Sequence, residues 1–265
     1  MATRAADPET VPRPVPAALL LPFGCAIAAL LVWSGGHDQT VFATLQSLTR
    51  PVTDIVWAFV TDQAGLLSLA AWATVLLLWR ADIATAILFS CPAGLVFVRG
   101  LKHLVSADRP QQLLAPDAIH VVGRELSSLS FPSGHTAAAF AAASACLYML
   151  TNRLRRRVAV PVLIAAAAVG VSRIAVGAHW PVDVLAGAGI GWLVGLSGVY
   201  AARRWPLWQS RSGMLSLAMI GVGAGAARLL WDSGYASVSV FAQMLGAIAV
   251  AAALVSAHRT LKAAT

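Results

Sequence analysis

Charge is what this sequence has least of. Asp, Glu, Lys and Arg make up 11% of its 265 residues, against 58% hydrophobic residues. A soluble domain carries about 25% charged and roughly 45–50% apolar residues, so a soluble globular enzyme is excluded. A disordered chain is excluded too, because it would lack the apolar residues needed to fold. Cysteine is scarce: Cys25, Cys91 and Cys146 lie far apart, each inside an apolar stretch. That excludes a disulfide framework and leaves no cysteine-based metal spacing. No Asp/Glu/His cluster resembles a metal cage either, so neither cofactor nor metal is expected. The net charge of +8 does not signal nucleic acid, because the basic residues fall in short runs between apolar stretches rather than on one soluble face.

What is present is apolar sequence in long runs, with a mean hydropathy of +0.75. The expected fold is all-α, a polytopic transmembrane helix bundle in the lipid bilayer. A crossing needs about 20 apolar residues. Eight are expected, near 17–34, 64–79, 83–101, 133–151, 158–176, 181–201, 213–231 and 237–257. Met1–Pro16, with Pro8, Pro12, Pro14 and Pro16, reads as a disordered cytoplasmic tail. The run from Ala17 has no clear small-residue cleavage site and reads as a retained helix. Gln39–Thr61 mixes Arg50 and Asp54 with Phe42, Leu45, Ile55 and Trp57 and is broken by Pro51. It reads as two short interfacial helices with their apolar faces on the membrane.

Arg4 and Arg13, Arg80, Arg153 with Arg155–Arg157, Arg203, Arg204 and Arg211, and Arg259 with Lys262 occupy the tail and alternate connections. With eight spans they share one side, which the positive-inside rule makes cytoplasmic, with both termini inside. Trp33, Trp79, Trp180, Trp205, Trp208 and Trp231 lie near span ends, as an aromatic belt would. Gly187, Gly191 and Gly195, and then Gly221 and Gly225, recur every fourth residue inside spans and predict close helix packing. The second pair also permits packing against another copy, a homo-oligomer.

Ionisable residues at span ends on the other side need a reason, because charge in a membrane is expensive. Three clusters meet that description. Lys102 and Arg109-Pro110 close the third span, seven residues apart, and share a face if the helix continues. Phe131-Pro132-Ser133-Gly134-His135 opens the fourth span, with Ser133 placed as an N-cap at a helix start suited to anions. Ser172-Arg173, His179 and Asp183 join the fifth and sixth spans, and Asp183 can hold one imidazole nitrogen of His179. Three cations with backbone N–H donors suit phosphate better than carboxylate. Two histidines suit a nucleophile and a general acid.

These three clusters resemble the motifs of the type 2 phosphatidic acid phosphatase (PAP2) family of integral membrane lipid phosphatases. K-x6-R-P, P-S-G-H and S-R-x5-H-x3-D all occur intact and in order, from Lys102 to Asp183. The resemblance implies a six-helix catalytic core over 17–201, and it leaves 202–265, two further transmembrane helices and a short tail, without a role. It implies that Lys102, Arg109, Arg173, Ser133 and Gly134 bind the phosphoryl group. His179 would attack phosphorus to give a phosphohistidine, Asp183 would orient His179, and His135 would protonate the leaving oxygen and then activate water. Metal independence is implied as well. The expected activity is hydrolysis of a lipid phosphate or diphosphate, best undecaprenyl diphosphate, at the outer face of a bacterial inner membrane. Phosphatidic acid, phosphatidylglycerophosphate and lipid A phosphate are alternative substrates. A lipid phosphotransferase would carry the same motifs. A lipid flippase or binding protein would need only the cations, and the membrane spans speak against a vanadium haloperoxidase.

Overall fold

The computed structural model describes residues 17–263. The tail expected at 1–16 lies outside the described residues. The helices are α1 (Ala17–Ser34), α2 (Asp38–Thr49), α3 (Asp54–Asp62), α4 (Leu66–Leu76), α5 (Ala81–Val105), α6 (Pro110–Leu113), α7 (Gly134–Met149), α8 (Asn152–Ala175), α9 (Pro181–Arg204), α10 (Arg211–Leu230) and α11 (Ser239–Lys262). Two single 3-10 turns, Leu207–Gln209 and Ala236–Val238, flank α10, and no strand occurs among the described residues. Hydrocarbon offers no partner to a backbone N–H or C=O, so apolar runs of this length satisfy themselves as helices.

The protein is a polytopic transmembrane bundle, but its crossings are less uniform than eight equal spans. Six helices, α1, α5, α8, α9, α10 and α11, are long and apolar enough to cross a membrane. The span expected at 64–79 is the 11-residue α4, which meets α3 at a bend of 65°, and only the two together are long and apolar enough for a seventh. The 16-residue α7 reaches only about 24 Å at 1.5 Å per residue, short of a hydrocarbon core of about 30 Å. Its start is taken up by the extended residues that build the site.

At the centre α9 packs on α7, α5 and α1, and α7 also packs on α5 and α8. The fourfold glycine spacing makes this possible. A Cβ at Gly187 would stand 2.6 Å from the Ser133 carbonyl oxygen, one at Gly191 2.1 Å from that of Ala137, and one at Gly195 2.2 Å from that of Ala141. The helix pair α10–α11 packs on itself and on α4. Gly225 faces the Gly246 carbonyl across α10–α11, and Gly221 faces Thr74 of α4. Both glycines therefore serve packing within one chain.

The basic connections gather at one end of the bundle. Arg80 reaches the Met149 carbonyl (3.4 Å), Arg203 donates to the Tyr148 carbonyl (2.7 Å), and Arg155 lies over the Tyr148 ring. The opposite end holds the C-termini of α5 and α8 and the N-termini of α7 and α9, the four points where the motif residues lie.

Two sequence expectations are corrected. Trp33, Trp79, Trp205 and Trp231 are exposed as a belt requires, but Trp180 is buried against Phe42 (ring centroids 5.2 Å apart), its indole donating to the Asp108 carbonyl at 2.9 Å. The apolar face of α2 likewise turns to protein, because Phe42 and Gln46 are buried beside Ile119, Ile174 and Trp180. Neither residue type distinguishes a lipid partner from a protein one.

Gly191→Ala places its methyl against rigid backbone. It is expected to lower stability by about 2 kcal/mol, read as a drop in melting temperature in detergent. Gly223→Ala, where no atom lies within 4 Å, is expected to melt at or above the wild-type temperature.

Candidate active site

The α5 helix stops at Ser106, which takes a left-handed conformation (φ 51°) and ends the turn that carries Lys102. Lys102 and Arg109 therefore do not share a helical face, as the seven-residue spacing suggested. Arg109 returns through the connecting segment, and the two cations meet at the Leu129 carbonyl. Lys102 Nζ donates to Leu129 O at 2.5 Å and Ser130 O at 2.8 Å. Arg109 Nε donates to Ser128 O (2.6 Å), Nη1 to Ala178 O (2.6 Å), and Nη2 to Ser128 Oγ (3.0 Å) and Leu129 O (3.2 Å). Lys102 and Arg109 are thus solvated by peptide carbonyls of 128–130 and 178.

Ser133 caps α7 through its side chain, accepting from Thr136 Oγ1 at 2.9 Å and Thr136 N at 3.4 Å. Its backbone N–H donates to the Asp183 carbonyl (3.0 Å), tying the start of α7 to the start of α9. Gly134 and His135 form the first turn of α7. His135 lines a cavity of about 420 Å³ between α4, α5 and α7, together with Lys102, Arg99, Ser128, Leu69 and Val98. Its remaining wall is mostly apolar, and no side-chain hydrogen bond holds the His135 imidazole among the described residues.

His179 precedes α9, and Pro181 opens that helix. Asp183, in its first turn, turns Oδ2 back toward three donors: Trp180 N (2.9 Å), Ser130 Oγ (2.5 Å) and His179 Nδ1 (3.1 Å). A carboxylate accepts only, so the proton sits on Nδ1 and the lone pair on Nε2. That Nε2 lies 3.2 Å from Arg109 Nη1. Arg173, in the last turn of α8, is buried beside them. Its Nη1 donates to Thr61 Oγ1 (2.5 Å) and Tyr235 Oη (2.7 Å), and its Nε is buried without a partner.

The residues from 111 to 130 form a roof pinned at several points. Gln46 donates to the His120 carbonyl (2.7 Å) and accepts from His120 N (3.0 Å). Val122 N donates to Val176 O (3.2 Å), Arg124 N to Gly234 O (3.0 Å), and Gln111 Nε2 to Leu126 O (2.8 Å).

The sequence matches the PAP2 superfamily over residues 83–208. It is 28% identical to the undecaprenyl-diphosphatase BcrC of Bacillus subtilis over 165 residues, 60% of this chain and 80% of that protein. The fold resembles the crystal structure of Aquifex aeolicus LpxE, with a TM-score of 0.54 and 24% identity over 62% of this chain and 94% of that one. It also resembles a transmembrane PAP2-type phosphatidylglycerolphosphate phosphatase from Bacillus subtilis, with a TM-score of 0.53 and 19% identity over 70% and 97% of the two chains. Over residues 83–208 the chain thus matches the PAP2 superfamily, the family that its three motifs resemble.

All eight predicted site residues, Lys102, Arg109, Ser133, Gly134, His135, Arg173, His179 and Asp183, lie at one end of the bundle. Sequence reasoning passed over Ser130, which shares Asp183 with His179, and over Thr61 and Tyr235, which hold Arg173. Nothing in their spacing marked them. It also passed over the buried ion pair of Arg228 with Asp62. There a signal existed, since a lone arginine inside an apolar span implies a partner.

Burial, and then the positive charges of Arg109, Arg173 and Lys102, hold the His179 imidazole well below its ordinary pKa. It is therefore neutral at pH 7, with its Nε2 lone pair turned to Arg109 Nη1. The acid limb of the kcat/KM profile is expected below about pH 6.5, the ordinary histidine value. Arg109→Gln removes one of the opposing charges and is expected to move that limb upward. A wild-type limb at or above that value would sink the assignment.

Proposed function

We propose that this PAP2 enzyme hydrolyses a lipid diphosphate or phosphate through a phosphohistidine on His179, without a metal, on the outer side of a bacterial inner membrane. The observation that carries this reading is the setting of His179. Its Nδ1 proton is held by Asp183, its Nε2 lone pair meets Arg109 Nη1 at 3.2 Å in the field of Arg173 and Lys102, and His135 waits on the adjoining cavity.

The substrate phosphoryl group takes the place between Nε2 and the cations of Lys102, Arg109 and Arg173, displacing some of the carbonyls that now occupy Lys102 and Arg109. Ser133 and the Gly134 backbone at the N-terminus of α7 contribute the dipole that favours an anion there. Nε2 attacks phosphorus in line. The bond to the leaving oxygen breaks as His135 gives that oxygen its proton. Asp183 stabilises the positive imidazole that forms. In the second half His135 takes a proton from water, the water oxygen bonds to phosphorus, and the P–N bond breaks to free inorganic phosphate and His179. The fixed cations supply the charge stabilisation that a metal supplies in other phosphoryl-transfer enzymes.

Undecaprenyl diphosphate is the favoured substrate. The support is the relative BcrC, an undecaprenyl-diphosphatase, and the mostly apolar cavity beside His135, suited to the first part of a long lipid. The orientation rests on the gathering of Arg80, Arg155 and Arg203 at the end away from the site. The positive-inside rule makes that end cytoplasmic, with both termini.

Phosphate release from a panel of purified undecaprenyl diphosphate, phosphatidic acid, phosphatidylglycerophosphate and lipid A phosphate tests the reading. Undecaprenyl diphosphate is expected to turn over fastest, and His179→Ala is expected to lose about a thousandfold or more on every substrate. Near-normal turnover by that folded variant would refute the nucleophile. Consumption of substrate without free phosphate would mark a phosphotransferase. Activity is expected to survive excess EDTA.

His135→Ala is expected to slow lipid substrates by about 10²–10⁴-fold and activated aryl phosphates far less, because a good leaving group needs no proton. Equal slowing of both would remove the general-acid role.

A further inference from the structure

The family match ends at residue 208, yet Arg173 takes both of its side-chain acceptors from outside the matched stretch. Thr61 lies in the last turn of α3, and Tyr235 lies in the connection between α10 and α11. The two hydroxyls use both protons of Nη1, at 2.5 and 2.7 Å. A guanidinium is planar with five fixed donors. Fixing Nη1 fixes the plane and leaves the Nε–Nη2 edge, the geometry that meets two phosphate oxygens at once. Arg173 is only 2% exposed, and its Nε has no partner, so the vacant edge is buried and prepared for an acceptor.

Tyr235 is itself held in place. Its ring is buried with Ala58, Val176, Ala178 and Val238. Gly123 of the roof approaches so closely that a Cβ there would stand 2.7 Å from the ring, and Gly234 O accepts from Arg124 N at 3.0 Å. The helix that precedes Tyr235 is moored one residue away from Thr61: the carboxylate of Asp62 pairs with Arg228 of α10, both buried. Thr61 and Asp62 thus reach the two arginines in turn, one in the site and one in the added helices.

We propose that the α10–α11 pair is part of the phosphate site, with Tyr235 as a positioning residue that orients Arg173 toward the anion. This rests on the reading of Arg173 as a phosphoryl ligand. The added helices would then do more than widen the bundle, because they carry a hydroxyl that the matched core lacks.

Tyr235→Phe removes the hydroxyl and keeps the ring. In the purified full chain, the inhibition constant for inorganic phosphate and the KM for the best lipid of the panel are both expected to rise about fivefold, with the melting temperature unchanged. Val238→Ala loosens the packing beneath the ring while sparing the hydroxyl. It is expected to lower the melting temperature and leave phosphate inhibition at the wild-type value. A Tyr235→Phe inhibition constant within twofold of wild type would overturn the proposal, and so would an equal rise in Val238→Ala. Arg173→Lys separates this from the parent reading. If it weakens phosphate binding while Tyr235→Phe does not, only the role of Tyr235 falls. If it binds phosphate as the wild type does, the phosphoryl-ligand reading of Arg173 falls first.

Discussion

Lys102, Arg109 and Arg173 sit together at one end of an apolar bundle, and among the described residues none of them forms an ion pair with a carboxylate. Taking an ion out of water costs several kcal/mol even after the protein relaxes. Most of the local architecture can be understood as the means of holding these three charges in place. Carbonyls of the roof solvate Lys102 and Arg109, and two hydroxyls, one from α3 and one from the α10–α11 connection, solvate Arg173. Dipoles hold the cations without cancelling their charge, so the field that attracts an anion survives.

The one carboxylate at the centre is spent differently. Asp183 accepts from a serine, a backbone N–H and His179 through a single oxygen. It therefore fixes a tautomer instead of neutralising a cation. Burial, and with it the same three cations, keeps His179 uncharged, so the field suited to an anion also favours a neutral imidazole.

Rigidity comes from the helices behind the site. The glycine face of α9 lets its backbone touch that of α7. Ser133 N bonds to the Asp183 carbonyl, so the two helix starts that carry His135 and Asp183 cannot drift apart without breaking that register. The roof is fastened from α2, from the loop after α8, and from the α10–α11 connection. Access to the cations therefore depends on segments that the motifs do not contain.

The membrane class, the helical bundle, the close-packing role of Gly187, Gly191 and Gly195, and the family resemblance followed from the sequence alone. Apolar run length, small-residue spacing and motif spacing are local properties, which a linear chain displays directly. Where α5 ends, that Trp180 is buried, and that α4 is a short helix bent against α3 depended on which surfaces meet. An apolar side chain reads the same whether lipid or protein covers it. Only the tertiary structure could bring Thr61, Ser130 and Tyr235 to Arg173 and Asp183. A single hydroxyl has no periodicity, and these three lie 53 to 112 residues from those partners.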